Sequence, residues 1–159
     1  MSGIFLDAAL LDGLVEKARM APRRRSHHNL HTDLNAPAQR LLVAMEPDSY
    51  VCPHCHRDAT KAETLFVLRG CLGALIFDAS GRVLEARVLT AGGANVGYDV
   101  PPGVLHAIVA LESGTVFLEA KAGPYVPLDN SEWGDWAPLE GSPGVPAYLA
   151  AMKAAFSPE

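Results

Sequence analysis

His54 and His56 stand two residues apart in Pro53-His54-Cys55-His56. In extended backbone, side chains at i and i+2 leave the same face, so both imidazoles can turn toward one ion. Glu63 follows at the start of the next apolar segment and offers a carboxylate from alongside. His106 comes just after the turn Pro101-Pro102-Gly103 and adds a third imidazole. Three neutral imidazoles and one carboxylate suit a divalent transition metal (Zn, Fe, Mn, Ni or Co) and leave one or more positions open for a substrate. The spacing therefore predicts a metal set of His54, His56, Glu63 and His106.

Other residue types could act around such a centre. Glu119 and Lys121 are also i and i+2, share a face, and can serve as an acid/base pair. Arg40 precedes Leu41-Leu42-Val43, from where it can reach inward and hold an anion by two parallel hydrogen bonds. Tyr98 and Tyr125 can line a mouth. Cys52-Pro53-His54-Cys55 has the spacing of a thiol–disulfide oxidoreductase, which needs its first cysteine at a helix N-terminus within a βαβ unit. The residues after Cys55 lead instead into Thr64–Leu68, a strand pattern. A zinc knuckle on Cys52 and Cys55 lacks a second ligand pair at matching spacing. With residues 52–56 extended, Cys52 shares the histidine face and Cys55 points away. The three cysteines, Cys52, Cys55 and Cys71, make an odd count that points to a reducing compartment.

These residues must be positioned by short strands. Gln39–Met45, Ser49–Pro53, Thr64–Arg69, Leu72–Phe77, Val83–Leu89, Val96–Val100, His106–Leu111 and Val116–Lys121 are apolar or alternating segments, separated by Gly, Pro, Asp and Ser clusters. About eight strands with no helical segment between them predict an antiparallel sandwich or barrel. Before them, residues 6–20 have helical periodicity, with Asp7 as N-cap and Pro22 as stop. After them, the irregular stretch through Gly144 holds Trp133 and Trp136, so it is expected to pack down over something. Residues 146–156 predict a short final helix.

Length and composition set the bounds. One domain's worth of chain, 159 residues with 49% hydrophobic and 19% charged, excludes a disordered protein. No apolar run approaches the ~20 residues that span a bilayer. The N-terminal positive charge follows the apolar part, the reverse of a secretory signal, so a cytoplasmic protein with no membrane partner is expected. A net charge of −5 argues against nucleic acid as a partner. The one basic cluster, Arg23-Arg24-Arg25, reads as a solvated linker, or as a contact for an anionic ligand or a neighbouring subunit.

The order His54-x-His56-x6-Glu63-x6-Gly70, then Gly97-x3-Pro101-x-Gly103-x2-His106, resembles the two motifs of the cupin superfamily. It departs from them in a longer gap before Glu63, a shorter one before Pro101, Ala110 where the second motif has Asn, and Glu46 near the first motif's opening Gly. Asn29-Leu30-His31, Gln39-Arg40-Leu41-Leu42, Leu68-Arg69-Gly70, Glu119-x-Lys121-x-Gly123-Pro124-Tyr125 and Trp136-Ala137-Pro138-x-Glu140 narrow the likeness to WbuC-type cupin-fold metalloproteins, over roughly residues 20–141. That family is associated with bacterial surface-polysaccharide gene sets.

The resemblance implies a mainly β fold, a single jelly-roll-like cupin barrel with helical additions at both ends. The expected division is 1–36 as helix and linker, 37–126 as barrel, and 127–159 as loop and helix packed on the barrel. It implies one divalent metal on His54, His56, Glu63 and His106, and a homodimer, with the N-terminal helix and the Trp133/Trp136 loop as contact surfaces. It also supports Asn29 and His31 as substrate contacts. The leading expectation is a metal-dependent enzyme on a small oxygen-rich substrate, such as a sugar or sugar nucleotide. Glu119, His31 and Lys121 would be its catalytic residues, and Arg40, Asn29, Tyr98 and Tyr125 its substrate contacts. An Fe- or Cu-dependent dioxygenase and a non-catalytic ligand-binding module are the alternatives.

Overall fold

The computed structural model describes residues 3–156; the outermost residues of the two expected terminal segments, 1–2 and 157–159, lie outside the described part. Helix α1 (Ala8–Met20) starts where Asp7 accepts the Leu10 N–H at 2.9 Å. Eight strands follow: β1 (Arg25–Asn29), β2 (Ala38–Met45), β3 (Glu63–Arg69), β4 (Cys71–Phe77), β5 (Val83–Thr90), β6 (Gly97–Val100), β7 (His106–Ala110) and β8 (Thr115–Ala122). Helix α2 (Val145–Ala154) is the last element of the described chain.

All strand pairs are antiparallel. One sheet runs β1-β2-β8-β3-β6 and the other β5-β4-β7. The sheets face each other across a core of Val43, Met45, Leu65, Val67, Leu72, Leu89 and Phe117. Hydrogen bonding does not close them into a barrel, and the architecture is a two-sheet, jelly-roll-like sandwich. Strand β2 is buried on both sides. Leu42 and Ala44 lie under Leu14, Val15 and Ala18 of α1, while Val43 and Met45 face the other sheet. This explains the unbroken apolar run Leu41–Met45, since a strand covered on both faces has no reason to alternate.

The expected number of strands is met by a different set. Ser49–Pro53 is irregular, and its apolar character reflects packing rather than pairing: Tyr50 is buried and donates its hydroxyl to the Pro138 carbonyl at 2.7 Å. Strand β1, Arg-Ser-His-His-Asn, carries no apolar signal. It is an edge strand recruited by β2 in register Arg25↔Met45 to Asn29↔Leu41. The segment expected as linker therefore widens the large sheet.

Between β3 and β4 a single residue, Gly70, passes the chain from one sheet to the other at φ +76°. A Cβ there would lie 2.9 Å from Thr115 Cα, in a conformation that L side chains avoid. Gly70→Ala is expected to cost at least about 2 kcal/mol in urea unfolding, and an unchanged midpoint would refute this account of the corner. Glu46, where the motif's glycine was expected, is buried and accepts the Gly114 N–H at 2.9 Å and the Ser113 hydroxyl at 2.7 Å, so it caps the β7–β8 turn.

Candidate functional site

One cavity of about 530 Å³ opens between the sheets on the inner face of β1, β2 and β8. His54 reaches it from the irregular segment before β3. Its main chain pairs with that of His106 in both directions, N–H to carbonyl, at 3.0 and 2.9 Å. This short bridge sets the two imidazoles side by side, with ring centres 4.6 Å apart. Gly103, at φ +82°, donates its N–H to the His56 carbonyl at 2.7 Å, so the Pro/Gly turn before His106 also holds the segment that carries His56. The two motifs meet through main-chain bonds before any side chain is considered.

The ring nitrogens are fixed by the backbone as well. Nδ1 of His54 lies 3.0 Å from the Cys52 carbonyl, and Nδ1 of His106 lies 2.9 Å from the Val104 carbonyl. A carbonyl only accepts, so each Nδ1 carries the proton and each Nε2 keeps its lone pair. Nε2 of His106 is buried and has no hydrogen-bond partner among the described residues. Burial drives the His54 imidazole down to about 4, aided by His106, and lowers His106 as well. Both rings are neutral near pH 7. Donor atoms of His54, Glu63 and His106 lie within 4.8 Å of one another. His56 joins through Glu63, its Nε2 being 3.0 Å from Oε2. Burial alone would raise Glu63, but the His56 hydrogen bond and the Lys121 ammonium outweigh it and hold the carboxyl near 2. Free imidazole lone pairs beside an ionised, buried carboxylate fit a divalent transition metal.

Strand β8 brings the next pair. Phe117, Glu119 and Lys121 alternate toward the cavity, and Lys121 stands opposite Glu63 across the β3–β8 ladder. Its Nζ lies 2.8 Å from Glu119 Oε1 and 3.4 Å from Glu63 Oε2. Burial and the Glu63 charge raise the Glu119 carboxyl, while Lys121 opposes them. Burial would lower Lys121, but Glu119 and Glu63 reverse this and keep it charged.

The remaining candidates separate. Tyr125 lies at the cavity rim. Arg40 is on the opposite face of β2, exposed, with Nη2 3.3 Å from the Leu30 carbonyl. His31 is buried, but its Nδ1 lies between the main-chain N–H and carbonyl of Arg40, away from the cavity wall. Asn29 ends edge strand β1 and is exposed, and Tyr98 packs half-buried against the core. Cys52 lines the cavity and Cys55 does not, matching the alternation expected for an extended segment. Burial pushes all three thiols up, and no helix begins at Cys52, so the arrangement lacks the activation a redox Cys-x-x-Cys needs. The Trp136 ring packs at a tilt against Phe77, centres 4.9 Å apart, and the Trp133 ring centre lies 5.8 Å from that of His54, so the tryptophan loop packs onto the small sheet and the cavity. Glu140 and Lys61 also lie in the wall without any sequence signal for a site role, and Arg23 and Arg25 of the arginine cluster line it rather than serving as a linker.

Residues 6–89 match the family described as a domain of unknown function, DUF6016. The chain belongs to this family. The DUF6016 match runs from α1 nearly to the end of β5 and includes His54, His56 and Glu63, while His106, Glu119 and Lys121 lie beyond it. No curated protein matches the chain. Among solved structures, KdgF from Halomonas sp. is similar at TM-score 0.52 and 17% identity, over 67% of this chain and 84% of that one. A variant of oxalate decarboxylase from Bacillus subtilis is similar at 0.52 and 21%, over 82% of this chain and 32% of that one, about a third of its length. A conserved protein of unknown function from Streptococcus pyogenes is similar at 0.51 and 15%, over 79% of this chain and 98% of that one. At these identities the likeness is of fold, and this DUF6016 chain has the cupin fold.

Proposed function

We propose that the protein is a metal-dependent cupin enzyme that moves a proton on a small oxygen-rich substrate, such as a sugar or sugar nucleotide. The observation that carries this reading is the pair of imidazoles whose Nδ1 atoms are tied to carbonyls, leaving two Nε2 lone pairs beside ionised Glu63. His54, His56, Glu63 and His106 would hold the metal. When bound, a divalent transition metal supplies Lewis-acid polarisation of a substrate carbonyl or vicinal diol.

The chain's own groups do the rest. Glu119, raised by burial and by Glu63, holds or releases a proton at its carboxyl oxygens. Lys121 fixes both carboxylates and keeps them from repelling one another. Leu41, Val43, Ile108 and Phe117 form an apolar wall that limits water at the substrate. Tyr125 and Trp133 flank the mouth. The resemblance to WbuC-type proteins supports a substrate from surface-polysaccharide synthesis, and a cytoplasmic homodimer belongs to the same reading. In this reading the jelly-roll unit spans 37–126, and β1 adds an edge to its larger sheet.

The test is proton exchange. Metal-loaded protein in D2O, offered a panel of sugars, sugar phosphates and sugar nucleotides, should introduce deuterium at the carbon beside the carbonyl of at least one of them. Glu119→Gln should lower this exchange by about 100-fold or more with metal content unchanged. A loaded protein that exchanges and converts nothing in the panel would overturn the reading.

A further inference from the structure

The chain is acidic, with a net charge of −5, yet its cavity is cationic. Four permanent cations line the wall, Arg23, Arg25, Lys61 and Lys121, against three carboxylates, Glu63, Glu119 and Glu140. Two of the cations are engaged by fixed partners. Lys121 lies between Glu119 and Glu63, and Lys61 donates to the carbonyls of Ala122 and Pro124. The two arginines differ, because both grip one carboxylate on a loop. Arg23 Nε and Nη2 reach Glu140 Oε1 and Oε2 at 2.8 and 2.5 Å, and Arg25 Nη1 and Nη2 reach the same oxygens at 2.9 and 3.1 Å.

Two guanidinium forks on one carboxylate leave positive charge in excess. Arg25 is built in place: its side chain is 15% exposed, and Nη1 also donates to the Tyr50 carbonyl at 3.0 Å and the Ser49 hydroxyl at 3.3 Å. Glu140 is more exposed, at 36%, and among the described residues its carboxylate has no hydrogen-bond partner besides the two arginines. A fixed cation, Arg25, beside an exposed one, Arg23, with an exchangeable partner forms a recognition element for planar or tetrahedral anions.

We propose that Arg23 and Arg25 form an anion clasp in the cavity wall, occupied by Glu140 until the carboxylate or phosphate of an anionic substrate displaces it. The clasp rests on the reading of the cavity as a substrate site, and it narrows the substrate to an anionic molecule. Glu140 is an intramolecular competitor, so it lowers the clasp's apparent affinity by the fraction of time it occupies the arginines.

Titration calorimetry of malonate and of inorganic phosphate tests the clasp on the full chain. Each anion is titrated into the parent, Glu140→Gln and Glu140→Gln/Arg23→Gln, and again with His54→Ala/His106→Ala added to remove binding at a metal. Glu140→Gln should bind at least one anion about tenfold more tightly than the parent, with or without the histidines, and Arg23→Gln should cancel the gain. A larger gain for malonate identifies a carboxylate ligand, and a larger gain for phosphate a phosphorylated one. Arg23→Gln alone, on an exposed side chain, should weaken the parent's binding by about tenfold, which keeps the test standing if Glu140→Gln fails to fold.

No gain in Glu140→Gln, or a gain that survives the loss of Arg23, overturns the clasp. Metal content is measured on the same samples. Metal uptake without the anion gain removes the clasp and leaves the metal reading, whereas the gain without metal uptake does the reverse.

Discussion

His54→Ala/His106→Ala should abolish metal uptake, from near-stoichiometric content in untagged parent protein to none in the variant, measured by plasma mass spectrometry. Both rings are oriented by hydrogen bonds from Nδ1 to main-chain carbonyls, and donor atoms of both lie within 4.8 Å of a Glu63 carboxylate oxygen. Breaking a single supporting hydrogen bond of a metal-bound histidine typically costs about 10–100-fold in affinity, and loss of two ligands far more. The fold should survive, because the bridge between residues 54 and 106 is made by main-chain atoms that alanine keeps. A second variant sharpens the result. His31→Ala should leave metal content unchanged, since His31 Nδ1 is bonded to the Arg40 backbone and the ring does not line the cavity. Equal metal in the double variant and the parent would remove His54 and His106 from the site.

The second large effect is on stability. Lys121→Met leaves buried Glu63 and partly buried Glu119 beside each other without the Lys121 ammonium. Removing one partner of a buried ionic group costs about 3–5 kcal/mol, because the remaining charge stays desolvated. The chelated variant should therefore unfold at markedly lower urea than the parent. Adding metal should recover part of the loss, because a cation on Glu63 restores some of the missing compensation. Glu119→Gln in the same background should also restore stability, by removing one of the two like charges. A Lys121→Met protein as stable as the parent after chelation would show that Lys121 does not hold this pair.

The pattern of β8 shows how far alternation alone carries a site. Phe117, Glu119 and Lys121 sit two apart with small or apolar residues between them, so their shared face is legible before any packing is known. The same parity puts Cys52, His54 and His56 together, although the strand expected there is absent. In that segment the extended backbone is supplied by the bridges of His54 to His106 and Trp133. The turn residues Gly70 and Gly103 are likewise readable, because each needs a positive φ that other residues resist.

Arg40 marks where this reading stops. Its strand is apolar on both faces, since α1 covers Leu42 and Ala44 while the opposite sheet covers Val43 and Met45. Alternation within β2 therefore carries no sign of which face is the cavity, and Arg40 takes the helix side. Strand β1 was invisible for the opposite reason. It is polar throughout, and its pairing is set by β2 and by the edge position rather than by its own side chains. Residue types, relative parity and turns are local properties and follow from neighbouring residues. Which parity faces the cavity, and the meeting of Arg23 and Arg25 with Glu140 across more than a hundred residues, depend on where α1 and the loop before α2 dock. That docking is settled by burial summed over the whole core.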